Sequence, residues 1–102
     1  MKTLKNIHPG EILKEDFLDP MGISIYKLAL ETGLTQTRLG HIVKGNRSIT
    51  AETALKLSKF FNMEAQFWLN LQNLYDLEEA SKKFLKEIKK IKPMTSIEKI
   101  AI

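Results

Sequence analysis

The sequence predicts an all-α domain of five helices, the last of them long. Three observations lead there. Apolar residues recur at spacings of three and four along most of the 102-residue chain, and no strand-like alternation exceeds four residues. Ser24, Thr35 and Thr50 each sit just before such a run, where a side-chain oxygen can cap a helix start. Gly33, Gly45 and Pro93 fall between or after the runs, as turn and stop signals.

Each element follows from its residues. Pro9 in His8-Pro9-Gly10-Glu11 opens the first helix, because a first-turn N–H has no intrahelical partner to lose. Ile12, Leu13, Phe17 and Leu18 form its apolar stripe, and Asp19-Pro20-Met21-Gly22 ends it. Ser24 caps a second helix that runs to about Glu31, and Gly33 supplies a left-handed turn. Thr35 caps a third helix to about Lys44, and a loop follows over Gly45-Asn46-Arg47-Ser48. Thr50 caps a fourth, with Ala54, Leu57, Ser58 and Phe61 turned inward, and Asn62-Met63 breaks it. The fifth starts near Glu64 and is expected to reach Ile91, with Phe67, Trp68, Leu71, Leu74 and Tyr75 as its core stripe. Beyond Pro93, Thr95 and Glu98 allow either a capping box or a loose tail.

Length and composition bound the function. The chain is long enough for one domain, and 43% hydrophobic with 27% charged residues is a globular balance. It contains no cysteine, which excludes a disulfide scaffold, a thiol nucleophile and thiolate-bound zinc. No apolar run suits a membrane span, and the N-terminal residues lack the apolar core of a signal peptide, so a cytoplasmic protein is expected. His8 and His41 are not spaced as metal ligands, Glu15 and Asp16 point apart on a helix, and no phosphate loop or nucleophile motif occurs. Neither an enzyme nor a cofactor or metal site is expected.

The net charge is only +4, so its distribution carries more information than its sum. Between Glu31 and Glu52 the only formal charges are Arg38, Lys44 and Arg47. Between Asn62 and Ser81 they are Glu64, Asp76, Glu78 and Glu79. Lys82, Lys83, Lys86, Lys89, Lys90 and Lys92 follow, opposed by Glu87 alone. Solvated helix faces would account for any one of these blocks, and cations also favour a helix C-terminus.

The cationic block coincides with a motif. Residues 24–44 read as two short helices joined by a tight glycine turn, the arrangement of a DNA-binding helix-turn-helix. Ala29 is small where the helices cross, and Leu28, Leu34, Leu39 and Ile42 wedge them onto the core. Gln36, Thr37, Arg38, Gly40 and His41 are left outside, none of them acidic. Gln can bond adenine at two positions and Arg can do the same to guanine. Gln36, Thr37, Arg38 and His41 are therefore the candidate base readers. Thr35, Gly40, Lys44, Asn46 and Arg47 are the candidate contacts to the DNA backbone, which anchor without reading sequence. The plainer reading is a helix hairpin inside an ordinary bundle.

Several blocks in order carry a family resemblance. They are His8-Pro9-Gly10-Glu11-Ile12-Leu13, the helix-turn-helix, Gly45-Asn46-Arg47-Ser48-Ile49-Thr50-Ala51-Glu52-Thr53-Ala54-Leu55, and Phe67-Trp68-Leu69-Asn70-Leu71-Gln72-Asn73-Leu74-Tyr75-Asp76-Leu77. Together they resemble the HigA antitoxins of the Xre-type, lambda-repressor-like helix-turn-helix superfamily. The resemblance implies a homodimeric repressor on a palindromic operator in double-stranded DNA. It also implies a cognate small basic toxin of the RelE-like mRNA-cleaving type, held inactive by the antitoxin. One departure stands out. Many Xre-type proteins brace their reading residues with a Gln at the start of the second helix, where this chain has Ile25, so that brace is absent or replaced.

Residues 1–80 are read as the DNA-binding domain and residues 81–102 as a lysine-rich extension outside the resemblance. Leu69 and Leu77 lie off the expected core stripe, and with Asp76, Glu78 and Glu79 they are candidates for a toxin or dimer contact. The alternative function is a stand-alone Xre-type transcription regulator with no toxin.

Overall fold

A computed structural model describes residues 5–95 of the chain, and within them the fold is helical without a strand. The first rod comprises α1 (Pro9–Ile12), a π-helical stretch (Leu13–Leu18) and α2 (Asp19–Met21). Then come α3 (Ile25–Thr32), α4 (Gln36–Val43), α5 (Ala51–Phe61), α6 (Ala65–Lys83) and α7 (Leu85–Lys89). The expected caps are in place. Oxygens of Ser24, Thr35 and Thr50 accept the backbone N–H of Lys27, Arg38 and Thr53, while Gly33 takes a left-handed φ of 78°. Asn62 ends α5 in the same region, at φ 55°.

The first rod holds two features beyond the expected helix. Its start is a full capping box: His8 Nδ1 accepts the Gly10 N–H at 2.9 Å, and Glu11 Oε2 accepts the His8 N–H at 3.1 Å. The π-helical stretch then closes turns over five residues instead of four. That wider turn brings Leu13 and Leu18, five apart, to the same buried side. The rod crosses α4 so closely that a Cβ on Gly10 would sit 1.7 Å from the Ile42 carbonyl oxygen. Only glycine permits this backbone-to-backbone approach.

Leu13, Leu28, Leu39, Ile42, Ala54, Leu57 and Trp68 are fully buried in one core. Trp68 anchors α6, with the ring of Phe17 5.0 Å away. The inward face of α6 differs from the expected stripe. Trp68, Gln72 and the half-buried Ala65 and Tyr75 point in, whereas Phe67 and Leu74 are exposed. The polar Gln72 occupies a core position because two backbone and side-chain partners satisfy it there.

The long fifth helix is also interrupted. Phe84, at φ −105° and ψ 18°, separates α6 from α7, which ends at Lys89, ahead of Pro93. No residue between Asp76 and Thr95 is buried, so this end lies outside the core of a molecule measuring 57 × 35 × 21 Å overall. The suggested pairing of Thr95 with Glu98 lies partly outside the described residues.

His8 predicts a pH effect. Its imidazole is buried edge-on against Tyr75 at 4.8 Å, and its Nδ1 must be unprotonated to accept from Gly10. Burial lowers its pKa, against the upward pull of the Asp76 and Glu11 carboxylates. A lowered folded pKa means the unfolded chain takes up the proton first. The stabilisation is therefore complete above 6.5, the ordinary value, and is lost as pH falls below it toward the folded pKa. Urea midpoints measured from about pH 7.5 down to about pH 5.5, a range spanning the imidazole titration, should fall for the parent protein. They should fall less steeply for His8→Ser, which keeps a capping oxygen but cannot titrate. Equal slopes for the two proteins would contradict this role.

Candidate nucleic-acid interface

The candidate surface is built on α4 and the loop after it. α4 is held from behind on every side. Leu39 and Ile42 are fully buried, Leu28 and the half-buried Ala29 pack from α3, and Gly10 presses from α1. Residues on the far side of the helix must then face outward, since side chains three and four apart share a face. Gln36, Thr37 and His41 are exposed, and Lys44 continues the same surface at the C-terminal end.

Three sequence-predicted residues have more defined settings. Thr35 is exposed, and its hydroxyl oxygen is the α4 cap, accepting the Arg38 N–H at 3.0 Å. Gly40 is half-buried, and a Cβ there would meet nothing within 4 Å. Unlike Gly10, its small size is not demanded by internal packing. Arg38 does not stand free on the surface. Its guanidinium lies at the flank of α4 and donates to Glu52 Oε1 of α5 at 3.2 Å, with 26% of the side chain exposed. The other Glu52 oxygen accepts from Lys56 at 2.7 Å, and the two cations hold the Glu52 carboxyl below the usual carboxylate range, Lys56 more strongly. The stretch that is free of acids in sequence thus gains one in space, from beyond its own boundary. Ile25, at the start of α3, turns toward the core and offers Arg38 nothing.

The loop leaves α4 through Gly45 at φ 80°. The Gly45 and Asn46 N–H groups donate to the Ile42 and His41 carbonyls at 3.0 and 2.8 Å, which fixes the direction of exit. Lys44, Asn46 and Arg47 are exposed. The far end is fastened by Ile49, 2% exposed, whose N–H donates to Gln72 Oε1 at 2.8 Å. Gln72 Nε2 donates in turn to Asp76 Oδ1 at 2.9 Å. Gln72 was not legible as a functional residue. Its signal was a polar side chain one turn after Trp68 on the face that proves to be buried.

The five candidates on α6 are dispersed in role. Leu77 is 68% exposed, while Leu69 packs partly against the core. Each acid already has a partner: Asp76 accepts from Gln72, Glu78 pairs with Lys82 at 3.4 Å, and Glu79 accepts from Asn6 at 3.0 Å. No cluster of three or more side chains suited to a metal occurs among the described residues, and none of their helices is long and apolar enough to cross a membrane.

A glycine-hinged helix pair that buries one face and presents a polar, cationic one defines a helix-turn-helix protein. The Helix-turn-helix family model matches residues 13–68. Virulence-associated protein I of Dichelobacter nodosus is 50% identical over 74 residues, spanning 72% of this chain and 68% of that protein. Antitoxin HigA-1 of Vibrio cholerae is 36% identical over 85 residues, 83% of this chain and 80% of its own length. The Pseudomonas aeruginosa antitoxin HigA, solved with the higBA promoter, superposes with a TM-score of 0.85 at 38% identity, covering 89% of this chain and all of that one. The chain belongs to the HigA family of antitoxins, helix-turn-helix proteins of the Xre type.

Proposed function

We propose that this protein is a homodimeric repressor of its own operon and the antitoxin of a RelE-like mRNA-cleaving toxin. The observation that carries the DNA half is the outward face of α4, with Gln36, Thr37 and His41 exposed and Arg38 at its flank. A face of this size and polarity fits a major groove. The HigA relative was solved with promoter DNA, which supports the same use here. Gln36, Thr37, Arg38 and His41 read base edges. Thr35, Lys44, Asn46 and Arg47 bind phosphates, and Gly40 lets the sugar-phosphate backbone or a base edge come close. One short helix reads too few base pairs for a genome, so two copies place their α4 helices about 34 Å apart on a palindrome. Leu69 and Leu77 with Asp76, Glu78 and Glu79 form the contact for a basic toxin or the second copy, on a helix away from α4.

Two substitutions separate reading from anchoring on a duplex from the protein's own promoter. Gln36→Ala should cost about 1–3 kcal/mol per half-site and erase preference at one base pair. Arg47→Ala should weaken binding to all sequences alike and reduce the slope of log K against log salt by about one. Identical effects on matched and mismatched DNA would refute the division. For the toxin, the product of a neighbouring small basic reading frame is the probe. Reversing Glu78 and Glu79 to Lys, with Asp76 left to hold Gln72, should leave promoter binding in place and loosen capture of that product on a column. Undiminished capture would remove this surface from consideration.

A further inference from the structure

Glu52 stands out among charged groups near the reading face. It is an acid where a phosphate-lined groove would dock, and nothing in the packing of the core requires it there, since its carboxylate is about half exposed. Both its oxygens are engaged, one by Arg38 from α4 and one by Lys56 a turn further along α5. The carboxylate is therefore held, and it holds Arg38 in turn. The three groups sum to a single positive charge, so the acid costs the surface little attraction for phosphate.

The consequence for Arg38 is geometric. A guanidinium has five N–H donors in a planar fork. The Nη1 group meets Glu52, which leaves the donors on Nη2 and Nε for another partner. A free arginine must freeze several rotatable bonds to grip a base edge, and prior immobilisation removes that loss on binding. We infer that Glu52 is a specificity-determining positioning residue: it pins Arg38 against α5 so that the remaining donors present one fixed fork to one base pair. This rests on the assignment of Arg38 as a base reader.

The test uses the full chain and duplexes selected on it from a random double-stranded library. Every base pair of the selected sequence is then replaced in turn. Arg38→Ala identifies the base pair that Arg38 reads. Glu52→Gln, isosteric at an exposed site, should lower discrimination at that base pair by roughly ten-fold, within the range of one bidentate contact, and leave the other positions unchanged. Its affinity for a scrambled duplex should hold or rise, because a negative charge has left the face. A loss of fold would weaken binding to both duplexes together. In the Arg38→Ala background, Glu52→Gln should have no effect at that base pair. Full discrimination by Glu52→Gln at the Arg38-dependent position would overturn the inference while leaving Arg38 as a reader. If Arg38→Ala changed no preference at all, the base-reading assignment would fall and the role of Glu52 with it.

Discussion

The structure depends on how α4 is gripped from behind. Leu39 and Ile42 are wholly buried, and the Gly10 backbone lies against the Ile42 carbonyl at a distance no side chain would allow. A helix of eight residues is too short to hold itself in water, so its orientation comes from packing. Once that grip is set, the outward residues follow from helical geometry. Gln36, Thr37 and His41 face out because their neighbours in the turn cannot. The same close approach explains why the first rod matters to a surface it does not itself form.

A second layer of order comes from polar fasteners. His8 starts the first rod and packs on Tyr75 of α6. Gln72 ties Ile49, at the end of the cationic loop, to the same helix. Leaving the buried Ile49 N–H without a partner would cost about 1–3 kcal/mol, which is large against the stability of a small domain. One fastener starts at the first rod and the other at the loop after α4, and both end on α6, which also carries the acids Asp76, Glu78 and Glu79. The two functional faces proposed for the molecule are thus joined by the same few bonds. The Arg38–Glu52–Lys56 group adds a local fastener between α4 and α5.

The parts that were legible in the sequence are those fixed locally. A capping hydroxyl acts on the N–H three residues later, and a left-handed glycine acts on its own turn, so Ser24, Thr35, Thr50 and Gly33 could be read directly. The wedge of Leu28, Leu34, Leu39 and Ile42 followed from spacing alone. What escaped depends on distant partners. Arg38 and Glu52 are 14 residues apart and Ile49 and Gln72 are 23 apart, so neither bond has a local signature. The inward face of α6 was misplaced because hydrophobicity favoured Leu74 over Gln72, whereas a buried carbonyl-seeking N–H favoured the amide. The break at Phe84 and the π-helical turn carry no proline or glycine to announce them.

DNA is proposed to meet the outward face of α4, and the chain offers a strong competitor in the lysines between residues 82 and 92. Backbone amide NMR spectra recorded while a promoter duplex is titrated into the protein distinguish the two directly. Docking through α4 should shift or broaden the signals of Thr35, Gln36, Thr37, His41, Lys44 and Arg47 first, with those of α7 little changed. Perturbations concentrated on Lys82 to Lys90, with the α4 signals unmoved, would contradict it.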